Sequence, residues 1–183
     1  MKRTVLPLLV GGILAFGTLF LLQTQQQERG RFTAPSFRVS TLHGSAVRLE
    51  DYRGRVLFLN FWATWCPPCR EEMPSMQRLY QRFAKRPFAM LAISQDTSVE
   101  AVREFVKSLG LSFEIGLDPA GELPQRYGVT GFPETFIIDP EGAVVRHVVG
   151  PLDWDEPGVL AFLEEMITAA EQVQGALPAS ANR

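Results

Sequence analysis

The sequence predicts an α/β fold: a central mixed β-sheet flanked by helices, with an extra β-hairpin at its N-terminal end. Three observations carry that prediction. Short apolar runs alternate with segments of helical periodicity across residues 37–172. The run Val56-Leu57-Phe58-Leu59-Asn60-Phe61 is apolar without alternation, as in a strand buried on both faces. That strand leads directly into Cys66-Pro67-Pro68-Cys69, which opens a helix.

The elements follow in chain order. Segments 37–39 and 46–49 flank His43-Gly44 and read as a hairpin. Segment 56–61 is the central strand. After the cysteines, Met76, Leu79, Tyr80 and Phe83 recur at helical spacing, with Pro74 expected to kink the helix. Segment 88–93 suits a parallel strand beside the first. Asp96 or Thr97 is positioned to cap a helix whose buried face would be Val99, Val102, Val106 and Leu109. Segments 135–138 and 143–149 form a second hairpin around Asp139-Pro140-Glu141-Gly142. A last helix places Val159, Phe162, Leu163, Met166, Ile167 and Ala170 on one face. The order β-α-β-α-β-β-α requires a mixed sheet.

Outside this domain the composition changes. Residues 5–22 are apolar and uncharged and follow Lys2 and Arg3, so residues 1–22 read as an N-terminal membrane anchor with its N-terminus in the cytoplasm. A cleaved signal peptide is the rival, but Phe20-Leu21-Leu22 and the glutamines that follow offer no small-residue cleavage site. Residues 23–36 form a polar linker, 37–172 the domain, and 173–183 a flexible tail. The expected location is therefore the bacterial cell membrane, with the domain on the periplasmic side. A net charge of −2 and the lack of a basic stripe exclude nucleic acid as a partner.

Cys66 and Cys69 are the only cysteines, so they cannot be a structural framework; the pair points to thiol–disulfide exchange. Cys66, at the helix start, is expected to be exposed and to be the nucleophile; Cys69, one turn in, is the shielded resolving thiol. Zinc would need two more ligands, and His43 and His147 lack ligand spacing, so no metal and no cofactor beyond the cysteine pair are expected. Pro67 and Pro68 fit the first helical turn, where they withdraw N–H donors from a thiolate. Glu72 falls on the same helix face as the cysteines, where a carboxylate would raise the thiol pKa and relay a proton. Glu71 and Arg70 read as surface residues. Asn60, on the incoming strand, is expected to point inward beneath the pair. Trp62 reads as packing, and Trp65 as a shield that touches substrate. Phe132-Pro133-Glu134 precedes the next strand, where a proline can be cis.

Two stretches carry a resemblance: Phe61-Trp62-Ala63-Thr64-Trp65-Cys66-Pro67-Pro68-Cys69-Arg70-Glu71-Glu72-Met73-Pro74 and Gly128-Val129-Thr130-Gly131-Phe132-Pro133-Glu134-Thr135-Phe136-Ile137-Ile138-Asp139. Through them, residues 34–170 resemble the thioredoxin superfamily and, within it, the membrane-anchored TlpA/ResA/DsbE-like thiol–disulfide oxidoreductases. The resemblance implies a thioredoxin-like fold, a cis Pro133 facing the cysteines, and Phe132 backbone groups offered to a substrate strand. It implies that Glu72 is the acid near the disulfide, that Glu134 joins it at the substrate site, and that Asn60 replaces the buried Asp of general thioredoxins. The implied task is reducing disulfides in exported proteins, typically apocytochrome c during cytochrome c biogenesis, with electrons from a membrane thiol carrier. A disulfide oxidant or isomerase of the same fold and a non-enzymatic tethered module are alternatives. A peroxidase is a further one; its pattern places Pro seven and Thr three residues before the nucleophile, where this chain has Leu59 and Ala63.

Overall fold

The computed structural model describes residues 31–176. The expected anchor, most of the expected linker and the end of the expected tail lie outside the described residues. Among the described residues no helix is long and apolar enough to cross a membrane.

The compact unit starts at Thr33. The described strands are β1 (Phe32–Thr33), β2 (Arg38–Thr41), β3 (Ala46–Arg48), β4 (Val56–Trp62), β5 (Phe88–Ser94), β6 (Glu114–Leu117), β7 (Glu134–Ile138) and β8 (Ala143–Val149). The helices are α1 (Pro67–Phe83), α2 (Val99–Leu109), α3 (Glu122–Tyr127) and α4 (Pro157–Ala176). The eight strands form one sheet in the order β1-β8-β7-β4-β5-β6-β2-β3. β5 is parallel to β4 and β6, whereas β7 pairs antiparallel with β4 and β8, so the sheet is mixed. The predicted N-terminal hairpin is β2–β3, joined to the sheet through β6.

Every residue of β4 is buried. Strand alternation divides them between two cores. Phe58 and Trp62 pack with Met73, Met76 and Leu79 of α1, Val102 of α2, and Leu163 and Ile167 of α4. Leu57, Leu59 and Phe61 pack on the other face with Leu123 and Tyr127 of α3. Parallel register aligns Trp62 with Ser94 and Ser94 with Leu117, so β4, β5 and β6 end together. The cysteines lie just beyond that shared carboxyl edge.

Several details depart from the sequence expectations. The domain begins before residue 37: Ala34 is buried, and the Tyr127 hydroxyl donates to the Pro35 carbonyl at 2.8 Å. α4 continues past residue 172 to Ala176, and beyond 172 the Gln174 amide donates to the Gly54 carbonyl at 2.6 Å. Ser98, not Asp96 or Thr97, caps α2, its hydroxyl accepting the Ala101 N–H at 3.3 Å. The buried face of α2 is Val102 and Phe105, leaving Val99 and Leu109 exposed. β6 and α3 fall outside the predicted elements: four and six residues are too few to establish a period. α1, by contrast, runs through Pro74 to Phe83, the extent that the spacing of Met76, Leu79, Tyr80 and Phe83 predicts.

Candidate active site

α1 begins at the carboxyl edge of the sheet with Cys66 as its N-cap and Pro67 and Pro68 in its first two positions. Neither proline has an N–H, so the first amide available is that of Cys69, which donates to Cys66 Sγ at 3.3 Å. Cys66 and Cys69 are joined as a disulfide. Cys66 is 5 % exposed and Cys69 0 %. The expected order of accessibility holds, but Cys66 is far less open than expected. The disulfide ties its sulfur back to Cys69, and the Phe132 carbonyl lies 3.5 Å from it. In the oxidised pair that approach is a contact only; a reduced Cys66 has an S–H to donate there.

The Phe132–Pro133 peptide is cis. Its position follows from register: Glu134, the next residue, pairs with Phe61 of β4, which sets the proline beside the strand end that feeds the cysteines. The Pro133 carbonyl accepts the Gly150 N–H at 2.9 Å, tying this loop to the end of β8. Trp65 is 65 % exposed and meets the Phe132 ring edge-on at 6.0 Å, while Trp62 is wholly buried against Phe105. Pro67 is exposed beside them. Trp65, Pro67, Phe132 and Pro133 thus border Cys66.

Glu72 lies behind the pair, one helical turn beyond Cys69, and is 3 % exposed. Three donors converge on its carboxylate: Asn60 Nδ2 at 3.0 Å to Oε1, and Trp154 Nε1 at 3.0 Å and the Leu152 N–H at 3.3 Å to Oε2. Burial outweighs them and pushes the pKa up from 4.5 to about 7. Glu72 is also among the residues lining a cavity of about 290 Å³, with Glu71, Pro74, Arg78, Leu152 and Asp153.

Glu134 does not join Glu72. Adjacent strand residues face opposite ways, and it is Thr135 that points toward Asn60, with Oγ1 2.9 Å from Nδ2. Glu134 faces the other core, is 0 % exposed, and is fully bonded. Oε1 accepts from the Thr130 N–H and hydroxyl and the Gly131 N–H at 2.7, 2.8 and 3.1 Å; Oε2 meets His147 Nε2 at 2.6 Å. Burial raises its pKa, but these partners together hold it below the usual value. Glu134 anchors the loop that carries Phe132 and Pro133; it has no surface to offer a substrate.

Two contributors were not legible as site residues in the sequence. Trp154 is remote from the motifs, and its role depends on the loop before α4 folding back over Glu72. Asp96 holds the approach to the cysteines: its carboxylate accepts the Thr64 N–H at 2.9 Å, the Thr64 hydroxyl at 2.5 Å and the Ser94 hydroxyl at 2.8 Å. Arg70 is exposed as expected, yet its guanidinium sits 5.2 Å over the Phe105 ring and donates to the Thr64 carbonyl at 3.3 Å.

A disulfide at the start of a helix, bordered by a cis-proline loop at the carboxyl edge of a mixed sheet, defines a thiol–disulfide oxidoreductase with a thioredoxin-like fold. The chain belongs to the AhpC/TSA family, which matches residues 32–147. It is 36 % identical over 151 residues to the thiol-disulfide oxidoreductase ResA of Bacillus cereus, covering 81 % of this chain and 86 % of that one. The ResA of Bacillus subtilis is 39 % identical over 119 residues, 65 % of this chain and 66 % of that one. Among solved structures, a thioredoxin-family thiol:disulfide interchange protein of Chlorobium tepidum shares 29 % identity at a TM-score of 0.64, covering 74 % of this chain and 95 % of its own. A thiol-disulfide oxidoreductase of Bacteroides fragilis shares 28 % at a TM-score of 0.65, covering 73 % and 98 %. The positions where a peroxidase would carry Pro and Thr hold Leu59 and Ala63, both wholly buried.

Proposed function

We propose that this oxidoreductase works as a reductant of disulfides in specific exported proteins, apocytochrome c being the expected substrate in cytochrome c biogenesis. In this reading residues 1–22 tether it to the bacterial cell membrane, and the domain acts on the periplasmic side. A membrane thiol carrier supplies its electrons, and the Cys66–Cys69 pair is its only redox group. The observation that carries the reading is the placement of Cys66 Sγ against the Phe132 carbonyl, with Trp65 exposed beside it. An extended substrate strand lying along Phe132 and Pro133 would bring its disulfide to that sulfur.

The steps follow from the geometry. Carrier thiols first reduce the pair. The Cys66 thiolate, favoured by the Cys69 N–H, attacks one substrate sulfur; the other leaves with the bonding electrons and takes a proton. Cys69 gives up its proton, attacks Cys66 Sγ and releases the second substrate thiol. Two electrons reach the substrate and the Cys66–Cys69 disulfide reforms. Glu72, titrating at about 7, takes the Cys69 proton and returns one when the carrier resets the pair. The acid near neutrality and the two prolines that thin out thiolate stabilisation both favour a reducing role.

The test is trapping. A Cys69→Ala variant of the full chain, expressed in cells, is expected to hold its substrate on Cys66 as a mixed disulfide identifiable by mass spectrometry. Recovery of exported c-type apocytochromes supports the reading; absence of any exported adduct contradicts it.

A further inference from the structure

Asn60 is 0 % exposed, in the middle of β4. Its Nδ2 uses both hydrogens, one on Glu72 Oε1 at 3.0 Å and one on Thr135 Oγ1 at 2.9 Å. Its Oδ1 is equally buried and has no partner among the described residues. A carboxamide holding two donors to one side and an orphaned acceptor to the other is complete for only one protonation state of its neighbour.

That state is ionised Glu72, which only accepts. When Glu72 is protonated, Oε2 still faces the Trp154 and Leu152 N–H groups, neither of which accepts a hydrogen. The proton then belongs on Oε1, where Asn60 Nδ2 would meet it donor against donor. Half a turn of the carboxamide removes the conflict, at the cost of turning Nδ2 to the side where Oδ1 has no partner among the described residues. Oδ1 takes the place of Nδ2 and accepts from Glu72 Oε1–H, and also from the Thr135 hydroxyl, which donates as readily as it accepts.

We propose that Asn60 is a positioning residue whose carboxamide turns over each time Glu72 gains or loses its proton, so that both forms of the acid are held in the same place. This rests on Glu72 being the proton carrier of the site. The charged and titratable groups around Glu72 are Glu71 and Arg78 on its own helix, Asp153 across the cavity and, once the disulfide opens, Cys69. β4 and β7 present Asn60 and Thr135, and the loop before α4 presents Trp154; none of these titrates. Asn60 is therefore the polar partner of Oε1 able to answer both states without changing charge.

Nuclear magnetic resonance on the isotopically labelled full-length protein tests this directly. A coupling across the hydrogen bond between Asn60 Nδ2 and Glu72 Cδ is expected at about pH 9 and should vanish at about pH 5, with the Asn60 amide and Glu72 Cδ shifts sharing one midpoint. If Glu72 titrates while that coupling persists, or while the Asn60 signals stay still because water takes the proton, the inference is overturned and Glu72 keeps its role. If Glu72 Cδ does not titrate between those limits, the reading of Glu72 falls and this inference with it. A variant gives an independent readout. Asn60→Leu removes the partner of both forms of Glu72 alike, so the pH midpoint of thiol–disulfide exchange should stay close to the parent's. A rise of about one unit in the folded variant is what losing a donor fixed on the ionised form would give, and it counts against the proposal.

Discussion

The Trp154 indole donates its N–H to the Glu72 carboxylate at 3.0 Å, joining the loop before α4 to the helix that carries both cysteines. The same ring packs edge-on against Phe58 at 4.6 Å, so one side chain seals the core and holds the acid.

Replacing Trp154 by Phe keeps the packing and removes the donor. The ionised form of Glu72 loses a charge-assisted hydrogen bond, so its pKa should rise above about 7 by about one unit. Carbon chemical shifts of the Glu72 carboxyl across pH would show the change.

Glu72→Gln should alter how stability depends on pH. The unfolded carboxyl releases its proton near 4.5, the folded one near 7. Between those values the folded chain binds the extra proton, so stability is fully present below 4.5 and is lost as pH rises toward 7. The loss is of the order of 3 kcal/mol. Urea unfolding across this window should show the slope in the parent and a flatter line in Glu72→Gln; parallel curves would mean that another group sets the slope.

Glu134 has the opposite sign. Its folded pKa is lowered, so its contribution is present above the unfolded value of 4.5 and fades as pH falls through the folded one. Glu134→Gln should be less stable near neutrality by about 2 kcal/mol and converge on the parent in acid. Denaturant melts at both extremes measure this, and disulfide exchange should slow because the Thr130–Gly131 loop loses its anchor.

Trp65→Ala separates recognition from folding. An exposed side chain outside the core should change stability by no more than about 0.5 kcal/mol. Losing an aromatic face beside Cys66 should cut kcat/KM for a protein disulfide by about tenfold, a change of about 1.4 kcal/mol. Calorimetry paired with steady-state reduction of a peptide disulfide checks both halves.

Asp96→Ala strips Thr64 of two hydrogen bonds and leaves its half-buried N–H without that partner. A stability loss of about 2–3 kcal/mol is expected, together with slower alkylation of reduced Cys66, which follows Thr64 by two residues. Thermal unfolding and iodoacetamide trapping report the two effects.

Much of this was legible in the sequence because the relevant signals are local. β4 announced itself by an unbroken apolar run, and α1 by its spacing and its paired prolines. The cysteines, Glu72 and Pro133 sit inside short motifs. What escaped depends on long-range geometry. Glu134 stands next to Pro133 in the chain, but which face it takes is settled by pairing with β4. The hold of Trp154 on Glu72 and of Asp96 on Thr64 crosses many residues of sequence. The low exposure of Cys66 depends on the disulfide and on the Phe132 carbonyl, and neither is visible in a motif.

The pairing of Phe61 with Glu134 and of Asn60 with Thr135 makes the number of residues in β7 behave like a reading frame. Deleting one residue there would send the glutamate toward Asn60 and Glu72 and the threonine toward His147. Two acids now insulated by the thickness of a sheet would share one compartment, and the loop would lose the carboxylate that ties it down.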